Sequence, residues 1–225
     1  MLLNTPAHTD NRLLAISDIH GCQEELLLLL KEAAYNPAKD RLILLGDYIN
    51  ADDRETWSTL LVIRQLVARG AHALTGNQEL RLLASDSNAR LLEPSIKNWL
   101  QELPFYHLEA PYLFVHAGIR PGVPLLGQSR QDLTEIRDAF IHNNLAEDDD
   151  CKPYTIIFGH TPTFKLKAMP GRIWHGHSKI GIDTGAKHGY RLTLLDLSSQ
   201  ASYSCSTAPG ARCSDLRAER LSLDK

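Results

Sequence analysis

Long apolar runs are missing from this chain of 225 residues. The greasiest stretch, ELLLLLKEAA from Glu25 to Ala34, falls well short of the ~20 apolar residues that cross a bilayer, and it reads as a helix buried on most of its sides. The opening MLLNTPAHTDNR lacks the basic and apolar regions of a secretory signal. Cysteine is scarce: Cys22, Cys151, Cys205 and Cys213 are scattered, with no C-x-x-C pair. That excludes a close-spaced structural zinc knuckle, speaks against a disulfide framework, and leads us to expect a reducing cytoplasm. Charge of one sign is also missing. A net charge of −3 gives no electrostatic reason to bind nucleic acid or an anionic membrane. What remains, at 43% hydrophobic and 23% charged, is the composition of an ordinary globular chain, long enough for one substantial core.

No internal repeat is visible, and the periodicity alternates. RLLAIS, RLILLG and AHALT read as short strands, each followed by a helical pattern: CQEELLLLLKEAAY, RETWSTLLVIRQLVARG and ELRLLAS. Gly70 sits where the second helix needs a C-terminal cap. Such a βαβαβα opening predicts an α/β fold with a largely parallel sheet. YLFVHAG reads as another strand, and SRQDLTEIRDAFIHNN as one helix with Ser129 as its N-cap. The second half is richer in strands: YTIIFGH, GRIWH, SKIGIDTG and YRLTLLDL. Residues 1–11 read as an N-terminal extension and 12–197 as one domain. Residues 198–225 are polar and poor in large apolar side chains, which predicts a loosely ordered tail, its end a candidate surface helix.

Residues able to hold metal gather at the ends of the predicted strands. SDIHG supplies Asp18 and His20, GDYIN supplies Asp47, GNQE supplies Asn77, and VHAG and FGHTP supply His116 and His160. Open α/β sheets place their chemistry in these loops. A lone GD or GH is most often only a turn, and a lone histidine is usually structural. A whole series of them at strand ends is hard to explain as chance. Asp18 and His20 lie two residues apart on extended chain and project to one side, so they can share an ion. Asn77, His116 and His160 would hold a second ion, with Asp47 bridging. Mixed oxygen and nitrogen donors favour manganese, iron or zinc, manganese foremost. Two ions so placed serve in-line displacement at phosphorus by an activated water.

In this order, SDIHG, GDYIN, GNQE, VHAG and GHTP resemble the calcineurin-like metallophosphoesterases. The resemblance is closest to the bacterial serine/threonine protein phosphatase branch, which also contains dinucleoside tetraphosphate hydrolases. It covers residues 12 to 197 and includes the segments HAGIRPGVPLLGQSRQDLTEIRDAFI and IGIDTGAKHGYRLTLLDL. It implies a β-sandwich flanked by helices, in α/β/β/α layers, with two divalent metals at one rim. It also implies a phosphorylated small molecule, a nucleotide or a phosphoprotein as substrate.

The chain departs from that pattern at three positions. Where the family has G-D-x-x-D-R-G and G-N-H-E, this sequence has Asn50 for Asp, Ala51 for Arg and Gln78 for His. In the family the histidine protonates the leaving oxygen, the aspartate orients it, and the arginine grips phosphate. Glutamine has no proton to give at neutral pH, and the loss of a general acid costs roughly 10²–10⁴-fold in rate. Asn50 and Gln78 together therefore read as a remodelled or a decayed acid dyad. Arg120 and Arg137 are candidate phosphate ligands in place of the missing arginine, although an arginine on a helix surface is as often simply ion-paired. His175 and His177 are further candidates, for a replacement acid, and Asp52 and Asp53 for an acidic rim.

The leading expectation is a two-metal phosphoesterase resembling a protein phosphatase, with weakened acid catalysis. A dinucleoside polyphosphate hydrolase and a metal-binding pseudophosphatase that recognises a phosphorylated partner are the alternatives. A nucleic-acid phosphodiesterase is disfavoured by the charge balance.

Overall fold

The computed structural model describes residues 11–221. Its strands are β1 (Leu13–Ile16), β2 (Arg41–Leu44), β3 (His72–Ala73), β4 (Tyr106–Glu109), β5 (Tyr112–Val115), β6 (Thr155–Phe158), β7 (Trp174–Gly176), β8 (Lys179–Gly181), β9 (Arg191–Asp196), β10 (Ala201–Ser206) and β11 (Arg217–Arg220). They form two sheets, in the orders β11-β10-β9-β1-β2-β3 and β4-β5-β6-β8-β7. The opening strands pair in parallel as expected, whereas β9, β10 and β11 extend the first sheet antiparallel.

Side-chain alternation builds the layers. Leu13, Ala15, Ile43, Leu45 and Leu195 point inward and meet Phe114, Ile157 and Ile180 of the second sheet. Their neighbours Leu14, Ile16, Leu42, Leu44 and Leu194 point outward, against Leu26, Leu29 and Leu30 of helix α1 (Gln23–Glu32). On the far side, Leu113, Val115, Ile156 and Phe158 pack on Leu133, Phe140 and Ile141. Both faces of the central strands are covered, so β1, β2, β5 and β6 are apolar at nearly every position instead of alternating. The result is the expected α/β/β/α arrangement.

Helix α2 (Thr59–Ala68) is preceded by a 3₁₀ turn and ends as predicted. Gly70 takes φ +105°, the Gly70 N–H donates to Val67 O and the Ala71 N–H to Leu66 O, a Schellman closure. Helix α3 (Asn77–Ala84) follows β3. Helices α4 (Asp86–Ala89) and α5 (Pro94–Glu102) fill a stretch in which the sequence pattern predicted nothing.

Two expectations need correction. The single helix over 129–144 is broken into α6 (Arg130–Glu135) and α7 (Asp138–Ile141). Ser129 does cap the first, its hydroxyl accepting from Asp132 N. The break has a tertiary cause: Leu133 O, which Arg137 N would claim in a continuous helix, accepts instead from Ala117 N. Nor is the segment after Ser198 loose. It forms β10 and β11: β10 pairs with β9 over six positions and with β11 over four. Tyr203 and Cys205 bury themselves in the outer core, the apolar side of an otherwise polar strand. The proposed terminal surface helix is a strand as far as Arg220, and its last residues, with residues 1–10, lie outside the described part.

Candidate metal centre

The loops after β1 and β2 run side by side and are zipped by backbone. Asp18 N donates to Gly46 O, His20 N to Asp47 O and Gly21 N to Tyr48 O, at 2.9–3.1 Å. Asp18, His20, Asp47 and His160 all have φ between +48° and +63°, a region non-glycine residues seldom adopt. Four candidate ligands in the left-handed region imply that the loops hold them there against a local cost. Glu79 supplies part of the hold. Its buried carboxylate accepts from Gly76 N, Asp47 N and Tyr48 N, each at 2.9 Å, tying the start of α3 to the second loop. A side chain on Gly76 would collide with Asp47, so the two loops can meet only with glycine there.

Within this frame the ligand atoms converge in two groups. Asp18, His20 and Asp47 lie with donor atoms within 4.8 Å of one another, and so do Asp47, His116 and His160. Asp47 belongs to both. Asn77 joins the second group, its Oδ1 3.2 Å from His116 Nε2. His116 Nδ1 lies 2.9 Å from Leu45 O and His20 Nδ1 3.2 Å from Ile49 O. Each Nδ1–H donating to a carbonyl leaves Nε2 to face the acids: His20 Nε2 is 3.7 Å from both Asp18 and Asp47, and His116 Nε2 is 3.4 Å from Asp47. This is how metal-binding imidazoles are usually oriented. With Nε2 unprotonated, His116 would face the Oδ1 of Asn77 acceptor to acceptor, which a cation between them relieves.

Electrostatics agree with that fit. Burial pushes Asp47 up and, with the charge of Asp47, lifts Glu79 to about 7. Burial would raise Asp18 too, but the nearby His20 and the charge of His116 hold it low. His20 rises to about 9 because Asp18 and Asp47 overcome the effect of burial. His160 falls to about 3 through burial, His116 and Arg137, so its ring is neutral, with its Nε2 lone pair turned to Arg137 Nε. The floor is a buried anionic cluster that favours added positive charge.

The cleft above this floor is lined by Asp18, His20, Asp47, Asn77, Gln78 and His160 from the expected set, together with Arg137. The helix break places Arg137 there, with its Nε donating to His160 Nε2 at 3.1 Å. Other candidates lie elsewhere. Arg120 is held by Asp132 in a two-point ion pair on an exposed face and does not line the cleft. Asn50 does not line it either, and no hydrogen bond joins it to Gln78 among the described residues. Its backbone is tied to Thr56 and Trp57, and its Oδ1 is buried without a partner. Gln78 instead turns its Oε1 to Ala51 N at 3.1 Å. The two variant side chains are therefore not hydrogen-bonded to each other. His175 and His177 are exposed at the β7–β8 edge, Asp52 is exposed, and Asp53 caps the 3₁₀ turn by accepting from Glu55 N.

Further cleft residues escaped the sequence reading. Asp183 is buried beside Asp18, whose charge adds to burial in raising it well above the usual aspartate range. It follows β8 as Asp18 and Asp47 follow their strands, and IGIDTG carried that signal. Arg81, one turn beyond Asn77 on α3, Lys165 and Lys187 also line the cleft. Isolated basic residues carry no pattern to read.

Residues 11–191 match the calcineurin-like phosphoesterases, and the chain belongs to that family of metal-dependent phosphoester hydrolases, which use two divalent metals. A symmetrical bis(5'-nucleosyl)-tetraphosphatase of Pseudomonas fluorescens is 32% identical over 211 residues, 78% of this chain and 71% of that one. Another, from Methylococcus capsulatus, is 38% identical over 121 residues, 48% of this chain and 43% of its own, so the match spans less than half of that relative. Among solved structures, a proposed diadenosine tetraphosphatase superposes with a TM-score of 0.69 at 22% identity, covering 90% of this chain and 96% of that one. A cold-active protein-tyrosine phosphatase of Shewanella superposes at 0.56 with 15% identity, covering 93% and 80%. These two likenesses speak for the fold. No helix among the described residues is long and apolar enough to cross a membrane.

Proposed function

We propose that the protein hydrolyses a phosphoanhydride bond of a dinucleoside polyphosphate. In this reading Asp18, His20 and Asp47 hold one divalent ion, and Asp47, Asn77, His116 and His160 hold the other. When bound, such a pair of ions activates water and offsets charge at the phosphorus. Manganese suits the mixed donors best.

The observation that carries the choice of substrate is the placing of Gln78. Its Oε1 is engaged by Ala51 N, so the part left for the cleft is an amide N–H₂. That group donates a hydrogen bond but cannot give up a proton. As the P–O bond breaks, the departing oxygen must carry its own charge. A nucleoside phosphate does this far more readily than the alkoxide of a serine. The relatives named as symmetrical tetraphosphatases support the same choice, so the dinucleoside alternative replaces the protein phosphatase as our leading reading. Arg137 and Arg81 would then hold the phosphates, the work that position 51 does in the family. Ala51 itself is buried under Asn88, whose Nδ2 donates to its carbonyl.

The test is incubation with diadenosine tetraphosphate and manganese, with the products separated by chromatography. Two molecules of ADP per substrate, abolished by Asp47→Asn, are expected. Intact substrate held tightly under single-turnover conditions would instead mark a pseudophosphatase.

A further inference from the structure

One wall of the cleft has a composition that the metal centre does not account for. It consists of the 3₁₀ turn Thr163–Leu166 and the loop from Gly185 to Tyr190. Lys165, Lys187 and His188 line the cleft from this wall. Neither lysine has an ion-pair partner among the described residues, unlike Arg120 or Arg12. Three acidic side chains (Asp18, Asp47, Asp183) line the same cleft, yet the lysines are exposed and do not close onto them. Burial and then the charges of the two lysines depress His188.

Aromatic surface adjoins this charge. The Phe164 ring stands edge-on to His188, centroids 5.3 Å apart, and edge-on to Tyr190 at 5.2 Å. Tyr190 remains 40% exposed and Phe164 half-buried. Gly185, at φ +90°, lets the backbone lie directly beneath Tyr190, where a side chain would strike the ring. From behind, Thr207 braces the loop, its N–H donating to Tyr190 O at 3.2 Å and its hydroxyl to Ala186 O at 2.9 Å. The wall is therefore a fixed shelf, with Lys165, Lys187 and His188 lining the cleft and the rings of Phe164 and Tyr190 adjoining them. Unpaired cations next to a phosphate-cleaving floor suit the rest of a phosphate chain, and exposed ring faces suit a nucleobase.

We propose that Lys165 and Lys187 hold the phosphates beyond the one attacked, and that the Phe164–His188–Tyr190 shelf stacks the base of one nucleoside. This rests on the dinucleoside reading for its substrate, but the shelf can be tested without turnover. The probe is ATP, titrated calorimetrically into the manganese-loaded protein beside inorganic tripolyphosphate.

The double variant Lys165→Ala/Lys187→Ala should weaken both probes by about tenfold or more, because it removes two charge-assisted hydrogen bonds to phosphate. Tyr190→Leu should weaken ATP by about tenfold and tripolyphosphate by far less, since leucine offers no ring face for a base to stack on. Tyr190→Phe should restore ATP binding, which separates stacking from a role of the hydroxyl in folding. Circular dichroism of each variant checks that it is folded. Equal weakening of both probes in folded Tyr190→Leu, or wild-type affinity in the lysine double variant, overturns the proposal. If the variants behave as expected but wild type does not cleave diadenosine tetraphosphate, the shelf stands and the dinucleoside reading falls. If wild type cleaves it and the variants bind as wild type does, the reverse holds.

Discussion

Gln78 is where the chemistry of this chain is decided. Its backbone N–H still donates to Asp47 Oδ1 at 2.9 Å, so the residue helps to aim the Asp47 carboxylate whatever its side chain does. The side chain, fixed by Ala51, brings an amide to the cleft where the family brings an imidazole. Gln78→His should therefore raise kcat on a phosphoserine peptide by at least about tenfold, somewhat below the usual reach of general acid catalysis, and change the rate on diadenosine tetraphosphate much less. An equal gain on both would show that proton supply does not distinguish the two substrates. Asn50→Asp should add little, because Asn50 neither lines the cleft nor touches Gln78. The substitutions themselves were legible in the sequence, because the surrounding motif is short and rigid in spacing. Their separation in space was not, because it depends on how the loop from 50 to 58 folds back onto its own backbone through Thr56 and Trp57.

Among the elements, β1 carries the most weight, since its end positions Asp18 and its start anchors the domain. Arg12 enters the interior there and grips Asp40 at two points (3.1 and 2.7 Å) while donating to Ala33 O at the end of α1. Asp196 at the end of β9 lies 3.6 Å away, so three elements meet on one guanidinium. Burial alone would raise Asp40, but Arg12 and the Asn36 N–H outweigh it and hold its carboxyl low. A carboxylate held low when folded stabilises the fold above its unfolded value and loses that contribution as pH falls through the lower folded one. Asp40→Asn should cost about 3 kcal/mol at neutral pH, as breaking a buried pair does. The gap from wild type in urea midpoint should shrink as pH falls below the usual aspartate range, where the wild-type carboxyl takes up its proton. A gap unchanged with pH would mean that Asp40 acts through packing alone. At this scale, strands with both faces apolar were readable, and so was the glycine that closes α2. The break between α6 and α7 was not, because the group that takes Leu133 O is Ala117 N, from a distant part of the chain.

For the whole molecule, order in the segment after Ser198 changes how the site is understood. Its composition is polar because β10 alternates, with Tyr203 and Cys205 inward and serines between them. Short serine-rich strands look like tails when read alone. Folded, the segment widens the first sheet and braces the loop that carries Lys187, His188 and Tyr190. The metal floor is thus a product of the first 160 residues, already visible as motifs at strand ends, and the cationic wall is a product of the rest, visible only once folded. A two-metal floor without an acid should select substrates whose leaving group needs no proton. The most direct measurement is kcat/KM of the manganese-loaded protein across diadenosine tetraphosphate, an aryl phosphate and a phosphoserine peptide, with Asp47→Asn as the blank. We predict a steep fall in that order, with the peptide slower than the anhydride by about 10²-fold or more. Comparable rates on the anhydride and the peptide would contradict it, and would mean that another residue supplies the proton.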